Sequence, residues 1–283
     1  MGITHKTVGA ELTQAEFEAV DSHEGRFVKN EIINGGFTIN QRVYVSAATL
    51  AATVYGHDRW KAGAGGGDYS FTQLASPTTI TIAANKTLIQ VVEDKNVYGG
   101  TYVLSWTGTC QARYAINSAT PAGAYASSPI IITGQTAGTT MSVEFGNGAA
   151  SGTLGLVQLE LGSVATPFEL RPYQQELGLC QRYYLRITNT SGLEWPMAGF
   201  FFSTTQGQVY YVFPTTMRIA PTSIEQSGTF VCLIAGGTAA GTLTMSSVST
   251  DGCELVMTGT GYTAGHGLSL RAGTYIGFLG AEL

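Results

Sequence analysis

The chain reads as all-β: a short N-terminal helix, then a β-sandwich, then a second, sandwich-like β domain. Three observations carry this. Short apolar segments with period-two alternation recur along the chain, separated by Gly, Pro, Asn and Ser turns. Beyond the N-terminus, no amphipathic segment is long enough to serve as the crossover helix of a parallel βαβ unit. Glycine is abundant (37 of 283 residues) and charged residues are only 12%, against about 25% in typical soluble domains. The length suits two domains of about 150 residues each.

Residues 1–29 form a segment of their own. In Leu12-Thr-Gln-Ala-Glu-Phe17, Thr13 and Glu16 have capping-box spacing and Leu12 and Phe17 stand at hydrophobic-staple positions. The spacing predicts a helix from about Gln14 to Ser22, closed by Gly25. A helix this short needs a surface to pack on, either its own domain or another chain.

Residues 30–166 supply the first β module. Ile32-Ile-Asn-Gly-Gly-Phe37 contains a Gly-Gly turn or bulge. Strands are expected at Gln41–Ser46, Tyr69–Leu74, Thr79–Ile82, Leu88–Val92, Tyr102–Trp106, Gln111–Asn117, Ile130–Thr133, Met141–Phe145 and Leu154–Leu161. Residues 167–184 form a connector. Pro167 and Pro172 hold its start extended, and Glu176-Leu-Gly-Leu-Cys-Gln-Arg182 suits one or two helical turns. A strand follows over Tyr183–Thr188. In the last module, 185–283, strands are expected at Gly199–Ser203, Gln208–Phe213, Ser223–Glu225, Thr229–Ile234, Leu243–Val248, Cys253–Thr258 and Thr274–Leu283, the last one tied into a sheet. Its glycine-rich loops, 235–241 and 258–267, are of the kind that often carries recognition.

Specific residues are densest at the joint: Gln158-Leu-Glu-Leu-Gly162, Thr166-Pro-Phe-Glu-Leu-Arg-Pro172 and Cys180-Gln-Arg-Tyr-Tyr184, followed by Phe213-Pro-Thr-Thr-Met-Arg-Ile-Ala-Pro-Thr222. This pattern resembles a junction that recurs in tail-fibre and other virion-appendage proteins of tailed bacteriophages. The half before it, from Asn34-Gly-Gly-Phe37 through Tyr55-Gly-His-Asp-Arg-Trp60 to Gly162, is similar to the jelly-roll, carbohydrate-binding-module-like domain that often precedes that junction. The resemblance covers roughly residues 30 to 225. It implies a virion protein, assembled in a host cytoplasm, attached through its N-terminal segment (Leu12, Phe17, Phe27), homotrimeric, with other virion proteins as partners. It also implies a structural role for His57-Asp-Arg-Trp60, with Arg59 pairing an acid and Trp60 packed on the sandwich. The other reading of Trp60, with Tyr55, is a platform for sugar. In the last module Tyr262 and His266 are the candidate glycan contacts, although a loop histidine such as His266 reads first as a solvated bystander and only second as a receptor contact.

Several classes of chemistry lack their residues. With net charge −5 and no run among its 14 Lys and Arg, the chain has no cationic cluster to neutralise phosphates, so no nucleic-acid partner is expected. No apolar run reaches the roughly 18 residues of a membrane span, and no signal-peptide pattern is seen. Cys110, Cys180, Cys232 and Cys253 have no zinc spacing and read as buried thiols, a Cys232–Cys253 disulfide being the alternative. Gly63-Ala-Gly-Gly-Gly-Asp68 lacks the Lys-Ser/Thr of a P-loop. Neighbours in sequence, His57 and Asp58 do not make a facing dyad. Glu93 and Asp94 read as a solvated turn rather than a glycosidase pair or a calcium loop. No catalytic residue, metal or cofactor is expected. The function expected is a fibre gripping host surface glycans through its loops. The alternative is a capsid-decorating or adaptor protein that binds only virion proteins; a capsule depolymerase is disfavoured for want of a carboxylate pair or a β-helix repeat.

Overall fold

The computed structural model describes residues 29–74, 76–189, 194–234 and 237–283. The expected helix over Gln14–Ser22 and the attachment residues Leu12, Phe17 and Phe27 lie outside them. The fold is all-β, in two compact units that are not consecutive in sequence. One comprises residues up to Thr38, Tyr44–Gly56 and Trp60–Arg171; the other takes Ile39–Val43, His57–Arg59 and Pro172–Leu283.

Among the described residues the first unit is a sandwich of ten strands: β1 (Lys61–Ala62), β2 (Tyr69–Ser70), β3 (Ile80–Ile82), β4 (Thr87–Val92), β5 (Gly100–Thr107), β6 (Gln111–Ile116), β7 (Ala122–Ala126), β8 (Ile130–Gln135), β9 (Met141–Gly146) and β10 (Gly152–Leu161). One sheet has the order β1-β4-β9-β6-β7 and the other β2-β3-β10-β5-β8. From β3 to β6, and again from β7 to β10, each strand lies in the sheet opposite its predecessor, which is jelly-roll winding. Inward-facing residues of both sheets meet in one core containing Tyr69, Leu88, Tyr102, Leu104, Val143, Leu154 and Leu159. Phe145 stands at its centre, with the Trp60 and Trp106 rings meeting it edge-on at 5.8 and 5.2 Å.

A bulge in β10 fixes the Asn34-Gly-Gly turn. The register slips between Gly155 and Gln158, Leu156 takes a positive φ of 49°, and the freed Val157 N–H donates to the Gly35 carbonyl at 2.9 Å. A Cβ on Gly35 would sit 2.1 Å from the Val157 oxygen, so only glycine fits there.

Gln41–Ser46 is not the strand its alternation suggested. It is an irregular segment in which Val43 has φ 56° and Ala47 φ 64°, and Gln41 is bound by both backbone and side chain to Asp58. Left-handed residues cannot continue a pleat, and Val43 and Val45 are exposed as a result.

The second unit opens with helix α1 (Tyr173–Gln181). The Pro172 carbonyl accepts the Glu176 N–H at 3.1 Å, and Glu176 and Cys180 are its buried residues. Nine strands follow: β11 (Leu185–Thr188), β12 (Glu194–Phe201), β13 (Gln206–Val212), β14 (Ser223–Ser227), β15 (Phe230–Ile234), β16 (Gly237–Ser246), β17 (Gly252–Gly259), β18 (Gly267–Ala272) and β19 (Tyr275–Leu279). The expected sandwich-like module has a particular form. Six strands close into a barrel, β12-β13-β17-β16-β15-β18, and three make a sheet, β11-β19-β14. Closure pairs every barrel strand on both sides. The last strand, β19, is central in its sheet, and its Ile276 and Phe278 join the core with Met197, Val209, Phe230, Leu255, Met257 and Leu270.

Candidate functional site

The motif-rich joint resolves into two polar networks, one in each unit. In the first, Glu169 accepts the backbone N–H groups of Lys29 (3.1 Å) and Asn30 (2.7 Å). Arg171 donates to the Asn30 and Ile32 carbonyls and pairs with Glu169 at 3.3 Å. Glu160 accepts from the Thr166 amide (2.8 Å), the Thr166 hydroxyl (2.6 Å) and Gln158 Nε2 (2.8 Å), while Gln158 Oε1 accepts the Glu169 amide. These bonds run within the unit and tie the chain after β10 to the segment at Asn30. The motif is structural.

In the second unit, Glu282 is the hub. It pairs with Arg42 at 2.9 Å and Arg59 at 2.5 Å, so Arg59 does meet an acid, one from the far end of the chain. The two guanidiniums lie 3.6 Å from the ring centroids of Tyr184 and Tyr183 respectively. Tyr184 Oη donates to Glu225, and Arg218 donates to the carbonyls of Ala281 and Glu282 at 2.6 and 2.9 Å. The Tyr-Tyr and Met-Arg motifs thus converge on the C-terminal segment.

Asp58, fully buried, accepts the amide and the side-chain N–H of Gln41, both at 2.7 Å. Burial pushes its carboxyl up to about 7, against the pull of Arg42 and the Gln41 hydrogen bonds and with a push from Glu282. His57 is buried too. Glu93 is buried and Asp94 exposed in a 3-10 turn, so this pair is not a wholly solvated turn.

The four predicted glycan contacts have different fates. Trp60 is fully buried, stacked on Phe37 at 4.9 Å, with its indole N–H donated to the Asn34 carbonyl at 2.9 Å. It is a core residue and not a sugar platform, because the loop that follows Asn34 folds over its face. Tyr55 is half-buried beside Lys61 in an isolated bridge. Tyr262 is buried as well: its ring stacks on Phe201 at 4.5 Å, and burial, with Cys232 alongside, raises its hydroxyl. Gly259 is glycine for this reason, since a Cβ there would lie 2.2 Å from Tyr262 Oη. Only His266 is exposed.

His266 lines a cavity of about 410 Å³ at one end of the barrel, with Phe201, Leu233, Ile234, Thr263 and Gly267. Its rim is held by backbone hydrogen bonds. The Phe201 N–H donates to the His266 carbonyl at 2.9 Å, the Gly265 N–H to the Phe201 carbonyl at 2.7 Å, and the Tyr262 N–H to Thr204 at 3.3 Å. Tyr262, stacked on Phe201, belongs to the core beneath that loop. Phe201, Leu233 and Ile234 escaped sequence reasoning because they stand at strand ends and read as core.

All four cysteines are free and buried; burial pushes Cys110 and Cys253 up to about 12, which keeps them as thiols. Among the described residues no cluster of His, Cys, Asp or Glu suits a metal, and no helix is long and apolar enough to cross a membrane.

No protein-family model matches this chain, and no curated protein does. Among solved structures it is similar to the N-terminal CBM22-1–CBM22-2 tandem domain of Xyn10C from Paenibacillus barcinonensis, at 10% identity over 82% of this chain and 98% of that one, with a TM-score of 0.25. It is also similar to recombinant discoidin II of Dictyostelium discoideum, at 10% identity over 75% and 81%, with a TM-score of 0.19. At such scores neither match carries an argument about fold or function.

Proposed function

We propose that this is a non-enzymatic recognition protein of a tailed-phage virion, a fibre that grips host surface glycans through the end of its barrel. The observation that carries the reading is the cavity at Phe201 and His266. Its volume falls within the ~300–1,000 Å³ of small-molecule sites. Leu233 and Ile234 offer aliphatic surface, and Thr263 and His266 offer hydrogen bonds. None of the six lining residues is acidic, whereas glycoside cleavage uses a carboxylate pair. The virion setting, the homotrimer and attachment through residues 1–29 rest on the resemblance of the joint motif. A glycan array probed with the purified full chain tests the reading: binding to bacterial surface polysaccharide is expected, and a blank array refutes it.

A second reading, an adaptor binding only virion proteins, is favoured by a different surface. Phe200, Phe202, Tyr210 and Val212, on or beside β12 and β13, are 42 to 77% exposed, and exposed apolar strips of this kind mark protein contacts. A blank glycan array together with co-sedimentation with a capsid or tail protein selects it.

A further inference from the structure

Gln158 and Glu160 stand two residues apart on β10, so their side chains leave the same face of the strand. The chain turns after Leu161 and lays Thr166 over them. The Thr166 hydroxyl donates to Glu160 Oε2 at 2.6 Å and lies 3.3 Å from Gln158 Nε2. We infer that this group cross-links itself: the Thr166 hydroxyl attacks the Gln158 side-chain amide, giving an ester between the two side chains and releasing ammonia.

The parts such a reaction needs are in place. A hydroxyl is a weak nucleophile until a base takes its proton, and Glu160, fully buried, already accepts that proton's hydrogen bond. Lys29 Nζ lies 2.6 Å from the same hydroxyl oxygen, where its positive charge favours the anionic oxygen as the proton leaves. The Glu169 N–H donates to Gln158 Oε1 at 2.8 Å, so a backbone dipole points at the oxygen on which negative charge develops when the carbonyl is attacked. Glu160 Oε1 accepts from Gln158 Nε2 at 2.8 Å, so the carboxyl that took the hydroxyl proton is placed to hand it to the departing nitrogen. Atoms and electrons balance. The Oγ1–H and Cδ–Nε2 bonds break, the Cδ–Oγ1 bond and a new N–H bond form, nothing is oxidised or reduced, and Glu160 ends as it began. Gln158 and Glu160 are at most 1% exposed, which keeps water from competing with Thr166 and from hydrolysing the ester. The released ammonia is protonated and diluted away at neutral pH, which opposes the return step. The chain modifies itself once and turns nothing over, so the inference stands independently of the glycan reading.

Intact mass spectrometry of the purified full chain, folded and held at neutral pH, tests this. The expected mass is one ammonia below that of the sequence. A protease that cuts after glutamate separates residues 158 and 166 at Glu160, and the expected digest keeps the two pieces joined until mild alkali parts them. Thr166→Val and Glu160→Gln should each abolish the loss of ammonia, and Thr166→Ser, which keeps a hydroxyl, should retain it. Ammonia lost instead by ring closure at Asn34-Gly35 or Asn147-Gly148 would leave the two pieces unjoined and would persist in Thr166→Val. That result overturns the assignment, and so does a wild-type chain that keeps its full mass. Should the variants fail to fold, the wild-type mass and digest alone decide.

Discussion

In the sandwich the large rings point inward: Trp60, Tyr69, Tyr102 and Phe145 are at most 1% exposed, Tyr98 being an exception at 62%. On the barrel, Phe200, Phe202 and Tyr210 are 42 to 57% exposed, whereas Phe201 and Tyr262 are buried and stacked on each other. The difference follows from geometry. A two-sheet sandwich has a wide interior that bulky residues must fill, whereas a six-stranded barrel has a narrow one. The barrel's interior is largely met by medium side chains such as Val209, Leu243, Leu255, Met257 and Leu270. Phe201, Phe230 and Tyr262 are buried with them, and Phe200, Phe202 and Tyr210 are the rings left outside. The comparison teaches that an aromatic residue can serve the core in one setting and stand outside it in another, and that residue type alone does not tell the two apart.

Breaking the sandwich side is the most drastic test. Trp60→Ala should cost about 3–5 kcal/mol, the usual penalty for emptying a buried aromatic site, with the Asn34 carbonyl losing its donor in addition. Denaturant unfolding followed by far-UV circular dichroism reads this. A loss under about 1 kcal/mol would mean that Trp60 is not the keystone its burial suggests, and would reopen its assignment as a binding platform.

The polar networks should respond alike despite their different units. Glu169→Ala strands the Arg171 guanidinium, whose side chain is 3% exposed, and Glu282→Ala strands Arg59 at 2%. Removing one partner of a buried pair leaves an uncompensated charge, so each should cost about 3 kcal/mol. If Glu169→Ala is silent, the joint motif is not what holds Asn30 in place, and a ligand-binding role for it regains ground.

A smaller effect separates the second network from the first. Asp58 has its folded-state pKa raised from 3.8 to about 7, chiefly by burial. The folded protein therefore holds this proton more tightly than the unfolded chain. The stabilisation is complete below the unfolded value and is lost as pH rises through about 7. Unfolding free energy should fall between about pH 4 and 7 by no more than ~1.36 kcal/mol per unit, and Asp58→Asn should flatten that slope. A slope unchanged in Asp58→Asn would assign it to other groups.

The all-β class and most strands were legible because their apolar residues alternate: Leu88–Val92, Met141–Phe145 and Cys253–Thr258 all lie in strands where the pattern places them. The expectation failed at Ala122–Ala126, whose Ala and Gly have no strand preference yet pair with β6 through backbone, and at Gln41–Ser46, where the positive φ of Val43 breaks the strand its residues suggested. Long-range partners were illegible in principle. Nothing near Arg59 in sequence announces Glu282, 223 residues on, and nothing near Trp60 announces that Asn34 and Phe37 cap it. Of the cavity, His266 was legible because glycines flank it on both sides in a loop, whereas Leu233 and Ile234 were not, since an aliphatic residue at a strand end looks the same whether it faces the interior or a ligand.

The smallest stability effect makes the sharpest test of the comparison. Tyr210 and Val212 are 57 and 77% exposed on the barrel wall, so Tyr210→Ser with Val212→Thr removes little surface that folding had buried, and should change unfolding free energy by less than about 0.5 kcal/mol. On the sandwich, Ile131→Thr at 54% exposure should be equally quiet. What should differ is association. If the barrel's rings and aliphatics are outside because another protein covers them, the Tyr210/Val212 double variant will fail to co-sediment with virion particles or will lose its own oligomeric mass, and Ile131→Thr will do neither. Should both variants behave as wild type in both assays, the outer strip is ordinary exposed surface, of which folded proteins have much, and recognition by the barrel narrows to the cavity at its end.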